Sequence, residues 1–488
     1  MRIAIDLSGV QSLGSRKRGI GRYSYEIIST ILDNFPENEY ILIGNASVLD
    51  ISSNFRKYLI SSNINYINWY SLAPLAYISK NNNALNIARY LRSYTFNRVF
   101  PDVILLTSFF EGYADNCFIE FDNDILEAPV LSIFYDLIPF LHPDLYLNSN
   151  PTFKEFYLDK IEKIKNLDGL LSISKSSKNE ALKYLGYEED KVYNISSACN
   201  TDIFNKKKVE TDEISEGILY DLDYFILYSG ASDPRKNIKG LLEAYSKLPF
   251  ELLWKYKLVF SGKLLPSETD LIHGWIKEFS INEKNVIILG YVSDEDLVYL
   301  YQNCALFVFP SFHEGFGLPI LEAMSCGAPA IASNRTSIPE IVGDANAMFD
   351  PYDTDSIKNL IQKALTDKVF RSSLIKNASY QKQKFSWLET SRKVLEACEN
   401  IINENPKDYS NYNWEYINSI NNSRFNLVLK KIKNDKNLKT SLCSNLVEQI
   451  ASSIDLINLE TDFISRSLTT KDTSFSWKVE GPFDSNYS

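Results

Sequence analysis

The residues best placed to do chemistry lie in Pro310-Ser311-Phe312-His313-Glu314-Gly315-Phe316-Gly317-Leu318-Pro319-Ile320-Leu321-Glu322. A strand-like run ends at Phe309, a glycine-rich turn follows, and Pro319 stands where a first helical turn tolerates proline. Glu314 precedes this helix and Glu322 lies about one turn inside it, with seven residues between them. Two carboxylates at that offset can hold two hydroxyl-bearing parts of one extended ligand. The Gly315 and Gly317 backbone, with the free amides of the helix start, suits an anion between them.

A second constellation, Tyr228-Ser229-Gly230-Ala231-Ser232-Asp233-Pro234-Arg235-Lys236-Asn237, also follows a strand and opens a helix. Arg235 offers a planar fork to phosphate oxygens and Lys236 a point charge. Gly230 permits close backbone approach. Near the N-terminus, Gly19-Ile20-Gly21-Arg22-Tyr23 opens a helix after the first strand. It lacks the third glycine of a dinucleotide fingerprint and the Gly-Lys-Ser/Thr of a P-loop. In Phe134-Tyr135-Asp136-Leu137-Ile138-Pro139, Asp136 ends a strand where a first domain would face a cleft and can orient an acceptor hydroxyl. No zincin is present, because position 317 is glycine and the chain has three histidines. Ser293, three residues before Asp296, makes Asp294-Glu295-Asp296 a helix cap rather than a metal site.

These motifs must be positioned by alternating strands and helices. The first series has strands at Arg2–Leu7, Tyr40–Gly44, Val103–Leu106, Val130–Tyr135, Gly169–Ser174 and Val192–Ile195. The second has Phe225–Ser229, Leu258–Ser261, Val286–Leu289, Leu306–Phe309, Ala330–Ala332 and Ala347–Phe349. Continuous apolar strands between amphipathic helices predict two doubly wound parallel sheets, with ligands beyond the carboxyl ends of the strands. We expect domains over 1–205 and 217–385, an acidic linker between them, a helix over 386–403, a helical extension over 404–470 and a separate segment over 471–488. That last segment, with Phe475-Ser476-Trp477 running into Gly481 and then Tyr487-Ser488, echoes the order of the chain's own first strand and helix. It predicts that a further module follows.

Composition bounds the function. The 488 residues are 45% hydrophobic and 23% charged, as in globular proteins. Lys and Arg number 51 against 62 Asp and Glu, a net charge of −11. No global basic field attracts nucleic acid, so any phosphate site is built locally. The first residues carry a charge too early for a signal peptide, and apolar runs are too short to span a bilayer. Six scattered cysteines form no CxxC pair; Cys304 and Cys326 read as buried thiols, and a reduced cytoplasmic setting fits. In the stretch Lys80 to Arg98, Ile87, Leu91 and Tyr94 form an apolar helix face with Arg89 and Arg92 opposite. The residues Lys430-Lys431-Ile432-Lys433 are a second basic cluster. Both are expected on solvated faces; the alternative contact is an anionic membrane surface or, for the first stretch, an acceptor.

Two Rossmann-like domains carrying these motifs in this order resemble the family 4 retaining glycosyltransferases of GT-B fold. The likeness covers about residues 1–403. It implies a nucleotide-sugar donor held mainly by the second domain and no required metal or other cofactor. Arg235 and Lys236 would neutralise the diphosphate leaving group. Glu314, helped by the Gly315, Phe316, Gly317 and Leu318 backbone, would bind donor-sugar hydroxyls, and Glu322 the ribose. Gly230 would lie against the donor, Gly262, Tyr291 and Val292 would flank the base, and Gly19 and Gly21 would close on the phosphates from the first domain. Tyr135, Asp136 and His313 would face the acceptor, a glycan or lipid-linked glycan. Many members carry histidine where Tyr135 stands, so Asp136 becomes the acceptor-site candidate. The Tyr-Asp-Leu-Ile-Pro and Pro-Arg-Lys-Asn variants resemble bacterial enzymes of O-antigen or capsular mannan synthesis at the inner face of the membrane, which favours GDP-mannose. A TDP-rhamnose or UDP-hexose transferase, a GT-B phosphorylase or epimerase, and a non-catalytic glycan-binding scaffold are the alternatives.

Overall fold

The computed structural model describes residues 1–404 apart from 73, 81, 208–221 and 223. All but the first residue of the expected extension over 404–470, the segment over 471–488, the Lys430 cluster and most of the acidic linker lie outside the described residues. The first sheet is fully parallel. Its strands are β1 (Arg2–Asp6), β2 (Glu39–Asn45), β3 (Ile64–Trp69), β4 (Val103–Leu106), β5 (Val130–Phe134), β6 (Gly169–Ser172) and β7 (Val192–Asn194), in the order β3-β2-β1-β4-β5-β6-β7. The second sheet, also parallel, contains β8 (Phe225–Ser229), β9 (Lys257–Ser261), β10 (Val286–Gly290), β11 (Leu306–Phe309), β12 (Ala330–Ser333) and β13 (Met348–Phe349), in the order β10-β9-β8-β11-β12-β13. Helices cover the sheet faces, so the central strands are buried throughout, as their unbroken apolar composition requires.

The strand order reverses between β1 and β4 in the first sheet and between β8 and β11 in the second. At such a switch point the connections leave to opposite sides, and a crevice opens beyond the strand ends. The loops carrying Gly19, Arg235 and Glu314 all leave strands at these points. The helix Trp387–Glu404 returns to pack on the helix Gly19–Asn34 of the first domain, where Trp387 meets Tyr23 edge-on at 5.0 Å and Glu404 pairs with Lys191.

Two expectations need correction. Strand β3 was not anticipated: in Ile64-Asn65-Tyr66-Ile67-Asn68-Trp69 two asparagines interrupt the apolar run, which a partly buried edge strand tolerates. Arg92 does not face solvent. The helix Asn82–Arg98 is covered on both sides, and Arg92 is fully buried, donating to Asp6 Oδ2 at 2.9 Å and facing the rings of Trp69, Phe96 and Phe121. Arg89 is taken by Glu120 at 2.7 Å, so neither arginine forms the free basic face. The five described cysteines are buried free thiols, Cys304 and Cys326 among them. Among the described residues no helix is long and apolar enough to cross a membrane.

Candidate active site

The Pro234–Lys236 turn is set by its own neighbours. The Asp233 carboxylate accepts from the Arg235 amide at 3.0 Å. Asn237, in the left-handed region with φ 55°, then caps the helix Ile238–Ser246 and binds the carbonyls of Pro310 and Pro351. The loop after β11 is fixed in turn. Ser337 donates to the carbonyls of Glu314 and Phe316, and Thr336 accepts from the Glu314 amide. Because β8 and β11 are adjacent and parallel, the two loops meet. Arg235 donates to Glu314 Oε2 at 2.7 Å and to the His313 carbonyl at 2.9 Å; Lys236 donates to Glu314 Oε1 at 2.6 Å. Although burial alone would push the Glu314 carboxyl up, the two cations hold it down at about 2. Burial lowers Lys236, so a further anion beside it would favour its ammonium.

Glu322 is in a different environment. It lies buried in the helix Leu318–Cys326, 3.4 Å from the Tyr301 hydroxyl, and Arg22 of the first domain stands 3.9 Å away. Burial outweighs Arg22 and raises the carboxyl to about 7. Arg22 also reaches Asp294 at 3.5 Å. The two glutamates are therefore separated by their surroundings, Glu314 ionised at neutral pH and Glu322 titrating near it.

The domains touch through this site. A Cβ on Gly315 would lie 2.7 Å from Asp136 Oδ2, so glycine there is required by the first domain's approach rather than by a ligand alone. Asp136 Oδ1 accepts from the Ile138 amide, and burial raises its carboxyl. Tyr135 donates into its own domain, to Thr107 O at 3.0 Å, and contacts Ser24 and Ile20 O, which makes it a support of the Gly19–Gly21 turn. Gly21 is packed against the Ser15–Arg16 backbone of its own loop, while nothing crowds Gly19. Gly230 and Gly262 meet back to back: a Cβ on Gly262 would lie 2.2 Å from Gly230 O. The Gly262 amide donates to Gly290 O, bringing this pair beside exposed Tyr291 and half-buried Val292. The Phe316 ring packs edge-on against Phe385 in the core, leaving only its backbone toward the turn.

His313 is buried between the domains. Its Nε2 lies 2.8 Å from Glu180 Oε1, and its Nδ1 3.1 Å from His142 Nε2. The Glu180 carboxylate favours a proton on His313 Nε2, which leaves Nδ1 to accept from His142. Burial lowers His142, and His313 reinforces this. Tyr146 donates to Asp233 at 2.5 Å, and Glu340 accepts from the amides of Lys175 and Ser176 at 2.8 Å each. Sequence reasoning assigned no role to Arg22, His142, Tyr146, Glu180 or Glu340. Arg22 carried a signal in its glycine motif, whereas the others are matched only across the closed cleft. Ser293 accepts from the Asp296 amide as a helix cap, and no cluster of metal-ligating side chains occurs among the described residues.

The family model described as glycosyl transferases group 1 matches residues 210–381. The O-antigen chain mannosyltransferase B of Escherichia coli is 36% identical over 268 residues, covering 55% of this chain and 69% of that protein. The chain belongs to the group 1 glycosyltransferases. The serotype-specific mannosyltransferase WbdA of Escherichia coli is 34% identical over 413 residues, covering 82% of this chain and 48% of its own length, so the chain spans about half of that relative. Among solved structures, Anabaena HepE in complex with UDP and glucose aligns with a TM-score of 0.59 at 16% identity, over 82% of this chain and 100% of that one. This group 1 chain therefore has the two-domain GT-B fold.

Proposed function

We propose that this group 1 glycosyltransferase moves a hexosyl unit, mannose in the first instance, from a nucleotide diphosphate sugar to a glycan hydroxyl with retention at the anomeric carbon. The observation that carries this reading is the Arg235–Lys236–Glu314 cluster at the switch point of the second sheet, directly opposite Asp136. Two cations, Lys236 buried and Arg235 half-buried, both fixed before any ligand arrives, are suited to the negative charge that grows on a departing diphosphate. The bond from the anomeric carbon to the diphosphate oxygen breaks while the acceptor oxygen bonds to the same face. The acceptor proton passes to a phosphate oxygen of the leaving group. Glu314 orients the cations and the donor-sugar hydroxyls, Glu322 takes the ribose, and Asp136 aligns the acceptor hydroxyl.

In this scheme Arg235 and Lys236 supply the charge that a divalent ion would otherwise provide, so no metal is required. The preference for GDP-mannose rests on likeness to mannosyltransferases that build O-antigen, and the reaction is assigned to the cytoplasmic side, where nucleotide sugars are made. Product release is the test, measured with GDP-mannose, TDP-rhamnose and UDP-hexoses, in EDTA and with the anomeric configuration read by NMR. Fastest turnover with GDP-mannose, undiminished by EDTA and giving the retained anomer, is expected. An inverted product, or transfer lost in EDTA and restored by magnesium, would overturn the scheme.

A further inference from the structure

A groove of about 630 Å³ opens on the outer face of the first domain, away from the Arg235–Glu314 cluster. Its walls are the helix Asn82–Arg98 and the end of the helix Pro151–Ile164, and its floor is the segment around Glu120 to Asp124. Partly exposed Phe121 gives it apolar surface, backed by the buried rings of Phe109 and Tyr90, and Asn86, Asn123 and Asn166 stand exposed around it. Its cations are already engaged: Glu120 takes Arg89 at 2.7 Å, Lys163 at 2.8 Å and Lys160 at 3.3 Å. With Asp122 and Asp124 also in the lining, no excess positive charge remains for an anion. Ring faces beside amides and carboxylates match a molecule with apolar C–H faces and many hydroxyls.

A line of rings joins this groove to the reaction cleft. Tyr113 is 44% exposed in the loop after β4, two residues beyond Glu111, which binds Ser15 of the glycine loop. Tyr113 lies 4.9 Å from Phe153, and Phe153 lies 5.8 Å from Tyr157. Tyr157 stacks on Phe110 at 4.9 Å, and Lys160 sits over both Phe156 and Phe109, the last of these in the groove wall. Tyr113, Phe153, Phe156 and Phe110 are partly open to solvent, over the buried rings of Tyr157 and Phe109. From Phe153 to Lys163 the helix advances about 15 Å, at 1.5 Å per residue.

We infer that this groove and the aromatic line leading to it form a second binding site, one that holds the distal part of a neutral oligosaccharide while its end lies in the cleft. The inference deepens the proposed reaction, because the occupant is the acceptor chain of that reaction. The site adds affinity that grows with glycan length and supplies nothing to a short acceptor.

Calorimetric titration of the full chain with a manno-disaccharide and a long manno-oligosaccharide, without donor, provides the test. The long probe is expected to bind about tenfold or more tightly than the short one. Tyr113→Ala and, at the far end, Asn123→Ala/Asn166→Ala should each erase most of that difference while leaving transfer to the disaccharide unchanged. Two variants at opposite ends guard against one that fails to fold, which circular dichroism detects. Equal binding of both probes, tighter binding of an anionic glycan of the same length, or loss of disaccharide transfer in either variant would overturn the site. Binding is read without turnover, so a chain that bound the long probe but transferred no sugar would count against the reaction alone.

Discussion

Arg235 Nη1 donates to Glu314 Oε2 across 2.7 Å, joining loops that are 79 residues apart in the chain. Lys236 engages the other oxygen of the same carboxylate, so Glu314 is the common anchor of both cations. Glu314→Ala should reduce transfer by about 10²–10³. It should also cost about 3–5 kcal/mol of stability, since buried Lys236 loses its counter-charge and half-buried Arg235 keeps only Asp233. Steady-state kinetics and urea unfolding separate the two effects. Because the folded carboxyl sits at about 2, its contribution is complete above the ordinary value of 4.5 and is lost as pH falls from there toward 2. Transfer at the unaltered rate would remove Glu314 from the reaction.

Glu322 has the opposite sign. Its folded value of about 7 exceeds 4.5, so between these two the folded chain keeps a proton that the unfolded chain has released. Stability should fall as pH rises through that window and level off above it. Glu322→Gln should flatten this slope in unfolding experiments. If the ionised carboxylate accepts ribose hydroxyls, donor affinity should rise as pH passes 7, and the rise should vanish in the same variant.

Asp6 and Arg92 form a wholly buried pair in which Arg92 Nε and Nη1 have no hydrogen-bond partner among the described residues. Arg92→Met strands the Asp6 charge and should destabilise the chain by about 3–5 kcal/mol. Asp6→Asn combined with Arg92→Met should cost less than the single arginine change, because neither charge is then left alone. Additive losses in urea unfolding would refute the coupling.

Glu340 of the second domain accepts from two amides that begin a helix of the first. Hydrogen bonds to a charged group contribute about 1.5–3 kcal/mol each when partly buried. Glu340→Ala should open the cleft, increasing the radius of gyration in small-angle scattering and raising the donor KM about tenfold, the effect of roughly 1.4 kcal/mol. A donor KM equal to the parent's would show that this cap does not hold the domains together.

The local motifs were legible because each is made by neighbours in sequence. Pro319 opening a helix, Ser293 capping one and the Pro-Arg-Lys-Asn turn all depend on contacts within a few residues. The glycines were legible as positions of close approach, but not what approaches them. Gly21 meets its own loop, Gly262 meets Gly230, and Gly315 meets Asp136, contacts that only the folded chain defines. Arg92 was misjudged for a related reason. A helix with arginines opposite its apolar stripe ordinarily faces water, and nothing in its own sequence announces that Asp6, Trp69 and Phe121 cover the second face.

The sequence by itself determined two parallel α/β domains and the motifs at their strand ends, because continuous apolar runs between amphipathic helices mark the strands and strand ends set loop positions. The tertiary structure decided the charge states and the partners. Glu314 and Glu322 are the same residue type in one motif, yet one is held at about 2 by two cations and the other raised to about 7 by burial. His313 pairs with His142 and Glu180, and Arg22 faces Glu322, only because the two domains close on each other. Electrostatic interaction depends on distance and on exclusion of water, and both are properties of the assembled cleft rather than of spacing along the chain.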